Sequence, residues 1–515
     1  SGGVWTHLAA TVLPSYVGNS LALVAGVVLL AVSIGTTAGW LVAACEFPGR
    51  RVFEWAMMLP MTMPAYVIAY VYFDRLSYAG PIQSALRDLF GWGYGDYWFP
   101  RIASLPGAML LMALVLYPYV YLLARAVFLR QSVHLMEAAR ALGASPFAAF
   151  WRVALPLARP AIVAGAAFVA MEVLADYGTV LHLGVPTLTV GIFRTWFASG
   201  APVAASQLSA LLLGFVAAAL MAERWGRGER RFDGDSGGRS GVIARRPLKG
   251  GLAVAALVAC ATPVLLGFLF PAAELFRLSL LVGDPFWGPR FYAYATNSLT
   301  LAAITAVLLV GVGVFLGYAR RLDGGPVIRS ALQVASLGYA VPGAVIAIGV
   351  LVPLSALDNT VDAWMRAAFG VSTGLLLTGT MLALLFAYVV RFLAVALSTI
   401  EAGLARIPPS LDNAARSLGM APGRALVAVH LPLMRSSLLS AAIFVFADVM
   451  KELPATLLVR PFNLDTLAIR TFRLAADGRL AEASTAALCI VAVGIIPVIL
   501  LSRAMNERPS VTQMP

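Results

Sequence analysis

Long apolar runs alternate with short polar turns along most of this chain. Eleven of the runs approach the roughly 20 residues that an α-helix needs to cross a bilayer. They are 18–44, 52–73, 105–129, 157–179 and 203–222 in the first half, and 250–275, 297–319, 327–353, 374–398, 433–457 and 483–502 in the second. Turns such as Glu46–Arg51 and Arg320–Gly325 separate neighbours. Backbone polar groups in hydrocarbon must be satisfied within their own segment, so runs of this length predict an all-α polytopic membrane protein.

Superimposed on this pattern is a repeat. The segment 136–156, MEAARALGASPFAAFWRVALP, returns as 411–432, LDNAARSLGMAPGRALVAVHLP. Aligned on Gly143 and Gly419, the copies lie 276 residues apart, each in a polar gap between apolar runs. Asn19-Ser20-Leu21 returns as Asn297-Ser298-Leu299, Gly35 and Gly39 as Gly313 and Gly317, and Pro64 with Val67-Ile68-Ala69 as Pro342 with Val345-Ile346-Ala347, all at an offset of 278. A single GxxxG pair is a weak signal, but several matches at one offset are a strong one. Six spans separate the two polar loops, so both face the same side, and the repeat is parallel about an axis along the membrane normal. The expected architecture is two pseudo-symmetric repeats of about six transmembrane helices each. Span 250–275 has no counterpart before residue 18. The chain begins Ser-Gly-Gly without an initiator Met, so either a native N-terminal span is missing here or the first half does without one. The expected division is 1–222 for the first half, with its loop near 134–156, then a linker 223–249, then 250–515 for the second half, with its loop near 401–432.

Composition agrees: 60% of residues are hydrophobic and 12% charged, against about half and a quarter in soluble domains. The net charge of +12 raises the question of nucleic acid. About two thirds of the 37 Lys and Arg residues, however, fall on the face carrying the repeated loops. By the positive-inside rule that face is cytoplasmic, and the excess charge is an orientation signal. The Arg- and Gly-rich linker then reads as a solvated tether. The loop 74–104 on the other face is aromatic, with Tyr78, Phe90, Trp92, Tyr94, Tyr97, Trp98 and Phe99 placed for the headgroup level or for an external docking surface. Cys45, Cys260 and Cys489 are scattered and the four histidines form no cluster, so no metal or disulfide spacing exists. No GxxxxGK[ST] occurs, so the chain carries no Walker-type phosphate loop.

In each repeated loop a short helical stretch precedes Gly143 or Gly419, where a missing Cβ permits a tight turn. A second stretch runs to Leu155-Pro156 or Leu431-Pro432. A small helix with an Ala-Ala face and a flexible corner suits docking into a groove on another protein. An ordinary loop is the plain alternative, and recurrence in register argues against it.

The spacing Glu-Ala-Ala-x3-Gly-x9-[Ile/Val]-x-Leu-Pro resembles the EAA loop of binding-protein-dependent ABC importer permeases. The resemblance covers nearly the whole chain. Within that family the fused two-half form is similar to the ferric-iron permeases, through PAYVIAYVY (64–72), LADYGTV (174–180), GIFRTW (191–196), KELPATLLVRPFNLDTLAIRT (451–471) and AARSLG (414–419). Thiamine permeases share part of this vocabulary. Asn413 departs from the motif's Glu, with Asp412 just before it. The resemblance implies a type I ABC importer permease fold in a bacterial plasma membrane, with no catalysis or cofactor of its own. The implied partners are membrane lipid, two copies of a cytoplasmic ATPase that binds ATP and Mg, and a periplasmic or extracellular solute-binding protein. It implies that Glu137, Ala138, Ala139, Gly143, Leu155 and Pro156, with Asn413, Ala414, Ala415, Gly419, Leu431 and Pro432, couple the ATPase to the membrane helices.

Charged residues inside the spans are costly and mark interiors or wet paths. Glu172 and Asp176 are one turn apart, and Asp448 and Glu452 occupy the equivalent stretch at an offset of 276, beside Lys451. Two readings stay open. The four carboxylates line a cation path, since hard oxygen ligands suit a hard cation. Alternatively they are structural, with Lys451 paired to Asp448 or Glu452 and the others hydrogen-bonded to neighbouring helices. The first reading disfavours oxyanion cargo. Against the importer stand a thiamine or other organic-cation importer, an ion-driven secondary transporter and a membrane-bound enzyme; no nucleophile–base constellation supports the last.

Overall fold

The computed structural model describes residues 2–93, 95–130, 145–227, 245–282 and 288–506. Among these, nine helices are long and apolar enough to cross a membrane, or up to eleven if two sharply bent pairs each count as one span. The chain divides into two compact units, Ser1–Leu281 and Val282–Pro515.

In the first unit the helix Leu13–Ala44 packs along Leu105–Arg130, which in turn packs against Leu155–Ala175. Small residues make the first contact close. A Cβ on Gly35 would lie 2.8 Å from the Tyr117 carbonyl oxygen and the Tyr121 amide nitrogen. Apolar helices in lipid gain nothing from burying more hydrocarbon, so close backbone approach of this kind is what holds them together. The equivalent pair in the second unit, Pro289–Leu322 on Met381–Ala405, has Gly313 against the Ile400 side chain and Gly317 against Leu404.

Pro64 and Pro342 sit at equivalent breaks. In each unit a short 3-10 turn (Leu59–Thr62, Gly338–Ala340) ends just before the proline, and a helix starts on its far side at Ala65 or Gly343. Proline pre-sets the first turn of the new helix and cannot continue the old one. Expected span 52–73 is therefore a pair bent by 88°, and expected span 327–353 is two helices, Pro326–Leu337 and Gly343–Phe369, rather than one. The duplicated Asn-Ser has a matching cause. Asn19 Nδ2 donates to the Pro186 carbonyl (3.0 Å) and Asn297 Nδ2 to that of Asp465 (3.1 Å). Ser20 Oγ accepts from Leu188 N (3.0 Å) and Ser298 Oγ from Leu467 N (2.8 Å). Each pair pins the first long helix of its unit to the start of a later one.

The boundary differs from the expected one. Gly251–Leu281, assigned from sequence to the second half, packs within the first unit. A two-residue parallel bridge pairs Cys45 with Arg246 and Glu46 with Pro247 just before it. Tyr72 OH then donates to the Leu266 carbonyl (2.8 Å), and Arg75 pairs with Glu274. Hydropathy marks a span but carries no information about which neighbour it packs on.

Three π-helical turns, Phe150–Ala154, Leu265–Leu269 and Leu426–His430, each end one residue short of an X-Pro step, at Pro156, Pro271 and Pro432. A proline ring inside a helix clashes with the carbonyl four residues back and offers no N–H to it. Widening the preceding turn relieves the clash. Leu155, Phe270 and Leu431 accordingly donate to carbonyls five residues back, at Phe150, Leu265 and Leu426. The Leu-Pro of each repeated loop thus places a π turn between the loop and the span that follows.

Candidate functional site

The second repeated loop is described throughout. Pro409–Ser417 is a helix with Pro at its first position. It ends in a left-handed Gly419 (φ +73°), with Met420 N donating to Ala415 O (3.0 Å) and Gly419 N to Arg416 O (2.9 Å). This is the glycine-terminated stop that side chains other than Gly resist. Ala415 is buried beneath the helix, while Asn413, Ala414 and Gly419 face outward. Leu418 is 80% exposed and Val427 64%. Leu431 is half-buried and Pro432 exposed at the entry to the next span.

The helix is gripped from one side. Asp412 accepts from Arg321 Nε (2.9 Å) and Nη2 (2.6 Å). The same guanidinium donates to the carbonyls of Leu404 (2.6 Å) and Ile407 (2.8 Å). The other Asp412 oxygen lies 2.8 Å from Nε2 of the fully buried His430, whose Nδ1 is 3.1 Å from the Ala425 carbonyl. Tyr318 donates from its hydroxyl to the Pro422 carbonyl (2.9 Å) and sets its ring 5.1 Å from that of His430. Burial works against the charge on Asp412, but the hydrogen bonds and charges of Arg321 and His430 outweigh it and hold the carboxyl below its ordinary range. Arg321, Tyr318, Asp412 and His430 are absent from the sequence-based set. The only sequence trace of them is Asp412 beside the departing Asn413.

Of the first loop, Glu137, Ala138, Ala139 and Gly143 lie outside the described residues. Leu155 is half-buried and Pro156 exposed at the head of Leu155–Ala175, as their counterparts are. Trp40, equivalent to Tyr318, packs its ring on Phe150 (5.1 Å) and Phe128 (5.3 Å).

Asp176 and Glu452 sit at equivalent helix breaks within their own units, and Glu172 and Asp448 lie one turn earlier inside the same helices. Asp176 ends Leu155–Ala175 and accepts from Thr179 Oγ1 (2.8 Å) and Val180 N (3.1 Å) at the start of Gly178–His182. Glu452 ends Arg435–Lys451 and accepts from Ala455 N (2.9 Å), Thr456 N (2.9 Å) and Thr456 Oγ1 (2.5 Å) at the start of Pro454–Val459. These are capping arrangements: the carboxylate occupies the free amides of the following helix. Asp448 pairs with Lys451 at 2.9 Å. These contacts account for three of the four carboxylates without a cargo. Among the described residues Glu172, half-buried, has neither a hydrogen bond nor an ion pair. No group of three or more His, Cys, Asp or Glu among the described residues is placed to hold a metal ion. On the opposite loop, Phe90, Trp92 and Tyr97 stack (4.6 and 5.1 Å) and Trp98 is 85% exposed.

Over 489 residues the chain is 26% identical to the Fe(3+)-transport system permease protein FbpB 2 of Haemophilus influenzae, covering 94% of this chain and 89% of that one. It is 29% identical over 154 residues to the molybdenum transport system permease protein ModB of Escherichia coli K12, covering 30% of this chain and 64% of ModB. A solved alginate ABC transporter chain aligns with a TM-score of 0.40 at 14% identity, over 50% of this chain and 94% of that one. The model of the binding-protein-dependent transport system inner membrane component matches residues 35–222 and 309–511, once in each half and spanning both repeated loops, and the chain belongs to that family.

Proposed function

We propose that this permease is the transmembrane subunit of an ATP-driven importer that moves ferric iron across a bacterial plasma membrane, with its repeated loops on the cytoplasmic side. The observation that carries the mechanism is the second loop. A short helix with an outward Ala414, a left-handed Gly419 corner and an exposed Leu418 is held against the membrane helices by Arg321. That is a surface built to be pushed by a partner. Two ATPase subunits, one per loop, bind ATP and Mg and close on each other. The loops follow, and the spans change their packing because the ATP-bound partner binds one arrangement better than the other. An external solute-binding protein delivers the cargo, lipid surrounds the spans, and the permease itself performs no chemistry.

The cargo assignment leans on similarity to the Fe(3+) permease over nearly the full chain and on acidic groups within the membrane. Glu172 is the strongest remaining candidate for the path, because no described partner occupies it. Asp176, Asp448 and Glu452 serve both the path and the fold in this reading.

The test is uptake of radiolabelled ferric citrate by proteoliposomes holding the permease, its ATPase and its binding protein. ATP-dependent uptake that unlabelled thiamine and molybdate fail to compete supports ferric iron. Uptake of either competitor in its place replaces the cargo, and transport that survives without ATP overturns the importer.

A further inference from the structure

The second loop is joined to its membrane helix by four side chains that the repeat does not duplicate. In the second unit, Tyr318 and Arg321 on the last turn of Pro289–Leu322 meet Asp412 and His430 on the loop. Shifted by the repeat offsets, those four positions are Trp40, Ala43, Met136 and Ala154 in the first half. None of these four can form an ion pair, and Trp40 rests instead on Phe150 and Phe128.

We infer that Arg321 is a positioning residue that locks the second coupling loop rigidly to its membrane helix. This rests on the loops being the ATPase docking sites. The chemistry favours rigidity on the second side. One planar guanidinium, 16% exposed, holds a carboxylate through two nitrogens and two main-chain carbonyls besides. Such a fork fixes distance and angle together. A lysine keeps the charge but presents a single point donor, which cannot hold the carboxylate and both carbonyls at once. Force from the ATPase therefore reaches Pro289–Leu322 without slack, and loss of Arg321 leaves the loop docked but loose.

The experiment uses the full chain with its ATPase and binding protein in proteoliposomes, with Cys45, Cys260 and Cys489 replaced by Ser. Spin labels are placed at Ser410→Cys on the loop helix and Phe315→Cys on the membrane helix; both native side chains are exposed. With Arg321 present, the label separation should be narrow and identical with and without ATP. In Arg321→Gln and Arg321→Lys it should broaden. The variants should also keep ATPase binding and hydrolysis within about twofold while ferric citrate uptake falls at least about tenfold; a general folding defect would lower all three. A narrow, unchanged distribution in both variants overturns the inference. A Gly419→Arg control separates it from the docking reading. If that variant still binds ATPase and transports normally, docking through this loop is wrong. If it fails while both Arg321 variants behave as the parent, docking stands and the rigid lock does not.

Discussion

At the scale of single residues, Glu452 and Glu172 separate the two roles open to acidic groups in these spans. Glu452 is buried and accepts from two amides and a hydroxyl. Glu452→Ala should therefore cost about 2–3 kcal/mol of stability, since stranding buried donors carries their full desolvation penalty. Glu172→Gln should change stability by no more than about 0.5 kcal/mol, as expected where no hydrogen bond or ion pair is lost. If Glu172 lines the path, uptake drops all the same; full uptake in this variant removes it from the path. Melting temperature and uptake measured on both variants decide the matter. Asp412 makes a pH prediction. Its carboxyl is held below its ordinary range in the folded protein, so the stability it adds is complete above that range and drains as pH falls through the lowered value. The gap in thermal stability between the parent and Asp412→Asn should persist at about pH 5 and close below about pH 4, the usual carboxylate range.

At the scale of elements, the glycines and prolines do different work at different places. A side chain on Gly35 would meet the backbone of the neighbouring helix, whereas Gly18 on the same helix has nothing within 4 Å. Gly35→Val should pry Leu13–Ala44 from Leu105–Arg130 and abolish folded yield, while Gly18→Ala should purify normally; detergent gel filtration distinguishes them. The π turn at Leu426–His430 directly precedes Leu431-Pro432, and its width relieves the clash of the proline ring with the preceding turn. Pro432→Ala removes that clash. Return to an ordinary α turn would rotate the loop by one residue, or about 100°, relative to the span. Thiol accessibility scanned across 411–425 should then move to a different face of the loop, and an unmoved pattern would mean that tertiary contacts such as His430 to Ala425 hold the wide turn by themselves.

At the scale of the whole molecule, the placement of Gly251–Leu281 is the feature with a consequence for assembly. A fragment ending near residue 284 carries that helix and should purify as a folded unit. A fragment ending near residue 235 lacks it, bares the contacts of Tyr72 and Arg75, and should melt lower or aggregate. Equal melting of the two would mean that the helix adds little to the first unit. The chain's own order of residues determined a great deal here. Apolar run length marks the membrane segments, although runs 52–73 and 327–353 break at Pro64 and Pro342, and the offsets of 276 and 278 mark the duplication. The Gly and Leu-Pro spacing marks both loops, because those residues act through local backbone geometry that adjacent positions set. Other features took shape only in three dimensions. Membrane hydropathy has no preferred neighbour, so the unit that takes Gly251–Leu281 is chosen by packing. The carboxylates at 176 and 452 read alike as path or cap until the following helix starts within their reach. The grip of Arg321 on Asp412 joins residues 91 positions apart. An ion pair at that separation leaves no periodicity in the chain, since its geometry exists only once two helices have already met.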